Sequence, residues 1–209
     1  GGGHTGTVPT SLLLPQVVEA VGADIPVLGA GGFHSGAGLV AALAYGADGI
    51  AMGTRFLLTA ESRVPDQVKT RYTDATVFDT VVTVALDGAP QRVIRTDTVD
   101  ALEKAPTLLK LPAALRRAIA FRKQTGTPLK ELVQEGLAMR KSQDLTWSQL
   151  AMAANAPMLI KVALVDGDPS VGVLPTGQVT GVIDELPTVA ELIDRIVADA
   201  RTTFARLTA

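Results

Sequence analysis

The sequence predicts an α/β fold: the C-terminal part of a (β/α)8 TIM barrel, followed by a mostly helical C-terminal region with one β-hairpin. Three observations predict it. The chain opens on a glycine and histidine run, Gly1-Gly2-Gly3-His4-Thr5-Gly6. Two apolar stretches then end on glycine, Val27-Leu28-Gly29-Ala30-Gly31-Gly32 and Gly49-Ile50-Ala51-Met52-Gly53-Thr54. Between them lies a small, apolar stretch of helical character, from Gly36 to Tyr45. Strand, turn, helix, strand in that order is a parallel βα unit. Glycine at a strand end lets the backbone approach a neighbour closely, because it has no Cβ. Two successive strand ends of this kind are what a phosphate site needs, and in (β/α)8 barrels that site follows strands seven and eight.

Each element has its own local signal. Leu12 to Val21 has helical spacing, and Pro15 is placed in its first turn, where proline is tolerated. Ile25 to Leu28 reads as a short buried strand and Gly49 to Met52 as the next one. Pro65 to Tyr72 reads as a charged helix. Thr80 to Ala85 and Arg92 to Thr96 are β-branched and alternating, and Asp87-Gly88-Ala89-Pro90 between them predicts a hairpin. Helical patterns follow at Ala101 to Lys104, Ala113 to Lys123, Leu129 to Lys141 and Ser148 to Ala154, with Thr146 as an N-cap. Asp166 to Gly181 is loop-like. Thr188 to Leu207 is a strong terminal helix with Leu192, Ile196 and Phe204 among its apolar positions.

The expected organisation is therefore residues 1–60 as the end of a barrel and residues 61–209 as a helical substrate or lid region, its terminal helix packing back on the barrel. The N-terminal barrel strands are missing from this expectation. A full barrel takes about 200 residues or more, and only two or three strands are visible. A part-barrel would expose sheet edges, so a homo-oligomer or pairing with the missing N-terminal half is expected to cover them. The opening residue is not Met, which fits a fragment, a processed chain or a renumbered one.

Bulk properties remove several functions. The 209 residues are 47% apolar, enough for one large domain or two small ones. A net charge of −2 advertises no nucleic-acid face. No apolar run reaches about 18 residues, so no membrane association is expected, and no signal peptide is visible. There is no cysteine, which excludes disulfides, thiolate zinc and a cysteine nucleophile, and fits a cytoplasmic protein. Two histidines exclude a multi-histidine metal centre, so no metal is expected. No G-x-S-x-G elbow occurs. The chemistry must come from few side chains or from a bound cofactor.

The turn Ala30-Gly31-Gly32 leads into a helix, whose first amides and dipole favour an anion. The turn Met52-Gly53-Thr54 adds amides and a hydroxyl, and together they suit a monophosphate. The competing reading is a pair of tight turns without a ligand. A dinucleotide fold competes poorly, because His34 stands where G-x-G-x-x-G needs glycine. His4, exposed by flanking glycines, is a candidate to take a proton from a weakly acidic carbon or to donate to a developing oxyanion. His34 only decorates the helix start. Arg55 pairs either with phosphate or with a carboxylate at the rim. Asp166-Gly167-Asp168 lacks EF-hand spacing and reads as a turn. Arg116, Arg117, Arg122 and Lys123 form a basic face, by default a solvated one, with a grip on a CoA phosphate as the alternative. Trp147 and Met152 read as core.

At these residues the chain resembles the nitronate monooxygenase (2-nitropropane dioxygenase) family of FMN-dependent barrels. The matching motifs are the opening Gly1 to Gly6 run, Pro26 to Gly32, and Gly46 to Phe56. The resemblance implies FMN, with cofactor contacts at Gly2, Gly3, Gly31, Gly32, Met52, Gly53 and Thr54, and His4 as base or polariser. Ala51 joins the cofactor set, although a glutamine commonly precedes this turn in the family. Segments from Asp79 to Val82, Asp87 to Val93, Leu145 to Gln149, Met152 to Met158 and Gly172 to Val179 resemble an actinobacterial subgroup similar to the flavin-dependent reductase of steroid C/D-ring catabolism. That implies a ring-bearing acyl-CoA substrate and a nicotinamide donor (NAD(P)H) or another electron partner. Two alternatives stay open: oxidation of small alkyl nitronates with O2, and a non-catalytic fragment or binding module.

Overall fold

The computed structural model describes residues 1–104 and 156–209. The expected helices at Ala113 to Lys123, Leu129 to Lys141 and Ser148 to Ala154, the Thr146 cap, the basic face and the side chains Trp147 and Met152 lie outside the described residues. The chain divides into two compact units: Gly1–Val81 with Arg92–Ile94 and Pro175–Ala209, and Val82–Gln91 with Arg95–Leu174. The chain leaves the first unit within one strand and re-enters it in the next.

In the first unit, α1 (Thr10–Val21) is followed by β1 (Leu28–Ala30), α2 (Gly36–Ala44), β2 (Gly49–Ala51), the single turn α3 (Thr54–Leu57) and α4 (Asp66–Thr73). β1 pairs in parallel with β2, Leu28 opposite Gly49 and Ala30 opposite Ala51, with α2 as the crossover. Leu14, Ala42 and Ala47 form a small core, with Val27, Phe33 and Ile50 packed on it. The small residues of α2 allow that close approach. Two local expectations change. Pro15 lies in the second turn of α1, not the first, so it removes a backbone bond there. Ile25 and Leu28 are not buried: they are 59% and 60% exposed, because the core contacts of this segment run through Val27 and Gly29 instead.

The C-terminal segment closes this unit. Thr188 and Glu191 form a capping box, Thr188 accepting from the Glu191 amide and Glu191 from the Thr188 amide. They start α7 (Val189–Thr208), which buries Leu192 and Ile196 and leaves Phe204 exposed. α7 packs on α2 so closely that a Cβ at Gly36 would lie 2.3 Å from both the Ala200 nitrogen and the Ile196 oxygen. Asp199 of α7 accepts a 2.9 Å hydrogen bond from the Ala37 amide. Ser35, the N-cap of α2, accepts from the Gly38 amide. The α2 start, expected to face an anion, is thus already filled by protein acceptors.

Arg55 is 4% exposed. Its Nη2 donates to the carbonyls of Leu58 and Glu185, at 2.7 and 2.9 Å. These charge-assisted bonds to carbonyls tie α3 to the segment before α7. The imidazole of His34 is held below its ordinary value by partial burial first and by the Arg55 charge second, with Asp199 opposing. Behind α3, Tyr72 of α4 is fully buried and donates to the Pro175 carbonyl at 2.8 Å. Burial pushes its phenol well above the usual range. Thr180, in the 3-10 turn Gln178–Val182, donates back to the Tyr72 carbonyl.

Strands β3 (Thr80–Thr83) and β4 (Gln91–Ile94) form a second, two-stranded sheet, as the hairpin pattern predicts. In the second unit, the Asp87-Gly88 turn is set by Asp87 accepting from the Ala89 amide and by Gly88 at φ +87°. α5 (Asp97–Lys104) and α6 (Ala156–Leu164) carry its described helices, and the Thr98 hydroxyl ties α5 to the Ser170 carbonyl. Asp168 accepts from the amides of Ser170 and Val171, while Asp166 pairs with Lys161. The Asp-Gly-Asp segment is a turn, as its spacing predicts. Among the described residues no helix is long and apolar enough to cross a membrane.

Two outcomes follow from the α2–α7 contact. Gly36→Ala forces a methyl into backbone and is expected to cost about 3 kcal/mol, read as a lowered urea midpoint at unchanged slope. His34 has a folded pKa below its unfolded value, so the unfolded state gains the proton first as pH falls. Stability is expected to fall as pH drops below the unfolded histidine value of about 6.5, and His34→Gln to flatten that part of the curve. Urea midpoints across that range check it.

Candidate functional site

The site begins with three glycine-bearing segments meeting backbone to backbone. Gly31 adopts φ +87°, and a Cβ there would sit 2.6 Å from the Gly2 nitrogen. A Cβ on Gly177 would sit 2.9 Å from the Gly1 oxygen, and one on Gly1 would sit 3.1 Å from the Gly31 carbonyl carbon. The close approach that glycine permits here is to other main chain. The opening loop is also laced at both edges: the Gln178 amide donates to the Gly1 carbonyl at 2.9 Å, and the Arg92 amide donates to the Gly3 carbonyl at 2.7 Å. Arg92 in turn accepts from the Thr176 amide at 3.1 Å, and Val93 bridges Pro175 in antiparallel fashion.

This lacing leaves other glycines facing space. A Cβ on Gly3, Gly32 or Gly53 would meet nothing within 4 Å. Gly32, at φ +92°, keeps a conformation that side chains disfavour even so. These positions open onto a cavity of 570 Å³, within the usual range for small-molecule and cofactor sites. All nine residues singled out from the sequence line it: Gly2, Gly3, His4, Gly31, Gly32, Ala51, Met52, Gly53 and Thr54. His34 and Arg55 do not. Thr54 has a defined hydrogen-bond state: its hydroxyl oxygen accepts from the Gly177 amide at 3.0 Å. The hydroxyl proton is left to donate elsewhere. His4 is exposed on the same wall.

A second cavity of 410 Å³ shares Gly6, Thr10, Gly31 and Gly32 with the first and adds Ser11, Tyr45, Arg92 and Gln178. Thr10 donates to the Gly31 carbonyl at 3.2 Å, fixing the ridge between the two. The residues that sequence reasoning missed sit here and at the lacing: Thr10, Arg92, Gly177 and Gln178. An arginine within an alternating strand was the available signal for Arg92, and Gly177 and Gln178 lie in the Gly172 to Val179 segment that carries the subgroup resemblance; Thr10 carries none. Among the described residues no group of three or more His, Asp or Glu is arranged to hold a metal ion.

The profile of the nitronate monooxygenase family matches residues 1–199. The chain is 57% identical over 200 residues to (3aS,4S,5R,7aS)-5-hydroxy-7a-methyl-1-oxo-octahydro-1H-indene-4-carboxyl-CoA dehydrogenase of Rhodococcus jostii, covering 96% of this chain and 56% of that protein. A protein of the same name from Mycobacterium tuberculosis is 55% identical over 203 residues, with 97% and 57% covered. Among solved structures, FabK from Thermotoga maritima superposes with a TM-score of 0.65 at 30% identity, over 99% of this chain and 53% of that one. The nitroalkane oxidase from Streptomyces ansochromogenes gives 0.66 at 27% identity, over 99% and 50%. The chain thus spans just over half the length of the relatives it matches. With a profile match across nearly all of its residues, the chain belongs to the nitronate monooxygenase family.

Proposed function

We propose that this chain is the phosphate-holding part of an FMN-dependent oxidoreductase that acts on a ring-bearing acyl-CoA thioester. The observation that carries this reading is the single cavity lined by all three glycine segments, open at Gly3, Gly32 and Gly53. Its residues fit a phosphate-bearing cofactor. The glycine positions form a cradle that any Cβ would begin to fill, and Thr54 has a hydroxyl proton to donate. The α2 helix start plays no part, because Asp199 and Ser35 occupy it. Gly32 and the Met52 to Thr54 turn would hold the phosphate, while Gly2, Gly3 and Ala51 line the wall along the rest of the cofactor. When bound, FMN supplies two-electron redox chemistry at carbon. The chain itself supplies His4, whose imidazole takes a proton from the substrate or polarises its oxygen as charge develops. A nicotinamide or another electron partner completes the cycle.

The acyl-CoA class is favoured by the names of the two actinobacterial relatives. Oxidation of alkyl nitronates with O2 is the second reading, favoured by the family and by the likeness to a nitroalkane oxidase. In both readings β1 and β2 belong to a larger (β/α)8 barrel, which would cover Ile25 and Leu28.

Full-length protein is expected to take up FMN and show a flavin absorbance spectrum; a colourless protein that ignores added FMN overturns the reading. Thr54→Val is expected to weaken FMN about tenfold, the value of one hydrogen bond to a charged group, with Thr54→Ser near wild type by fluorescence titration. His4→Ala is expected to lower turnover about 100-fold on a ring-bearing acyl-CoA or on propyl nitronate, whichever is the substrate, with FMN still bound.

A further inference from the structure

We propose that Arg92 is a second anion-binding residue of this cleft, facing an oxyanion of the substrate rather than the cofactor phosphate. The proposal rests on the reading that the larger cavity takes the cofactor. Arg92 lines the smaller cavity, whose wall excludes Met52, Gly53 and Thr54. Its main chain is fixed on both sides, by the Gly3 carbonyl and the Thr176 amide. Its guanidinium is fixed at one corner, Nη1 donating to the Thr80 hydroxyl at 2.9 Å. Nε is buried and has no partner. Among the described residues, none of the ion pairs involves Arg92. A cation placed this rigidly, with a buried donor unspent and no carboxylate to neutralise it, is an incomplete site. Burial also draws its proton affinity down, as expected for a charge partly withdrawn from water without an internal counter-ion.

The rest of the wall has the same chemistry. Thr7 and Ser11 bring further hydroxyls, and Tyr45 supplies a partly exposed ring. Guanidinium with hydroxyls suits a phosphate or a planar oxyanion such as a carboxylate or nitronate. The shared requirement is a delocalised negative charge on oxygen. Its source is either a phosphate of an acyl-CoA or the reacting oxyanion of a small substrate.

The test uses full-length holoenzyme and calorimetric titration with three probes: coenzyme A, its phosphate-free fragment pantetheine, and propionate as a small planar oxyanion. Arg92→Met is expected to weaken coenzyme A or propionate about tenfold or more, and the affected probe identifies the source. Pantetheine and FMN affinities should stay within about twofold, Arg92→Lys should recover part of the loss, and Thr80→Val should bind the anion nearly as wild type. The proposal is overturned if wild type binds neither anion, if Arg92→Met binds both as wild type does, if pantetheine is lost equally, or if Thr80→Val reproduces the loss. Failure to take up FMN would instead overturn the cofactor reading, and the calorimetric comparison would still judge Arg92.

Discussion

Three stretches of main chain converge where Gly1 and Gly2, Gly31 and Gly177 touch, and the rest of the cleft is arranged around that contact. Main chain can approach main chain this closely only where no Cβ intervenes. Because the opening loop is wedged against Gly31, its carbonyls at Gly1 and Gly3 point away to the amides of Gln178 and Arg92. Because those amides are consumed, the loop is held rather than merely placed. Gly3, Gly6, Gly32 and Gly53 are left with open volume where a Cβ would stand.

The support for this contact comes from behind. α4 carries Tyr72 on its buried face, and the phenol reaches Pro175 at the start of the segment that brings Gly177 and Gln178 to the cleft. Lys69, on the same helix, is buried and donates to the Thr59 carbonyl at 2.9 Å. Arg55 spans from α3 to Glu185. Each is a polar group taken out of water that donates to a carbonyl, although Nε of Arg55 is buried without a partner; the value of such bonds lies in direction more than in net energy. Together they fix the far end of the chain to the turn after β2. Thr54, on the wall of the larger cavity, is bonded to Gly177 within that frame.

The sequence was legible where the signal is local. Helical spacing located α1, α2, α4 and α7, alternation located β3 and β4, and glycine at strand ends located the residues that line the larger cavity. It misled where the deciding partner is far along the chain. Asp199 caps a helix 162 residues earlier, and no pattern near Ala30-Gly31-Gly32 announces that. Arg55 read as a partner of phosphate or of a rim carboxylate; the carbonyls of Leu58 and Glu185, far apart along the chain, are what its Nη2 meets. Ile25 and Leu28 looked buried from hydropathy, which reports what a residue prefers and not what covers it. Thr10 carries no motif at all and enters through its bond to the Gly31 carbonyl.

Asp199 lays a carboxylate across the first turn of α2, where helix geometry leaves amides without intrahelical partners. The Ala37 amide is spent on that carboxylate, so the positive end of the α2 dipole already carries a negative charge. The last helix therefore does more than cover hydrophobic surface: it also neutralises the start of the helix it packs on.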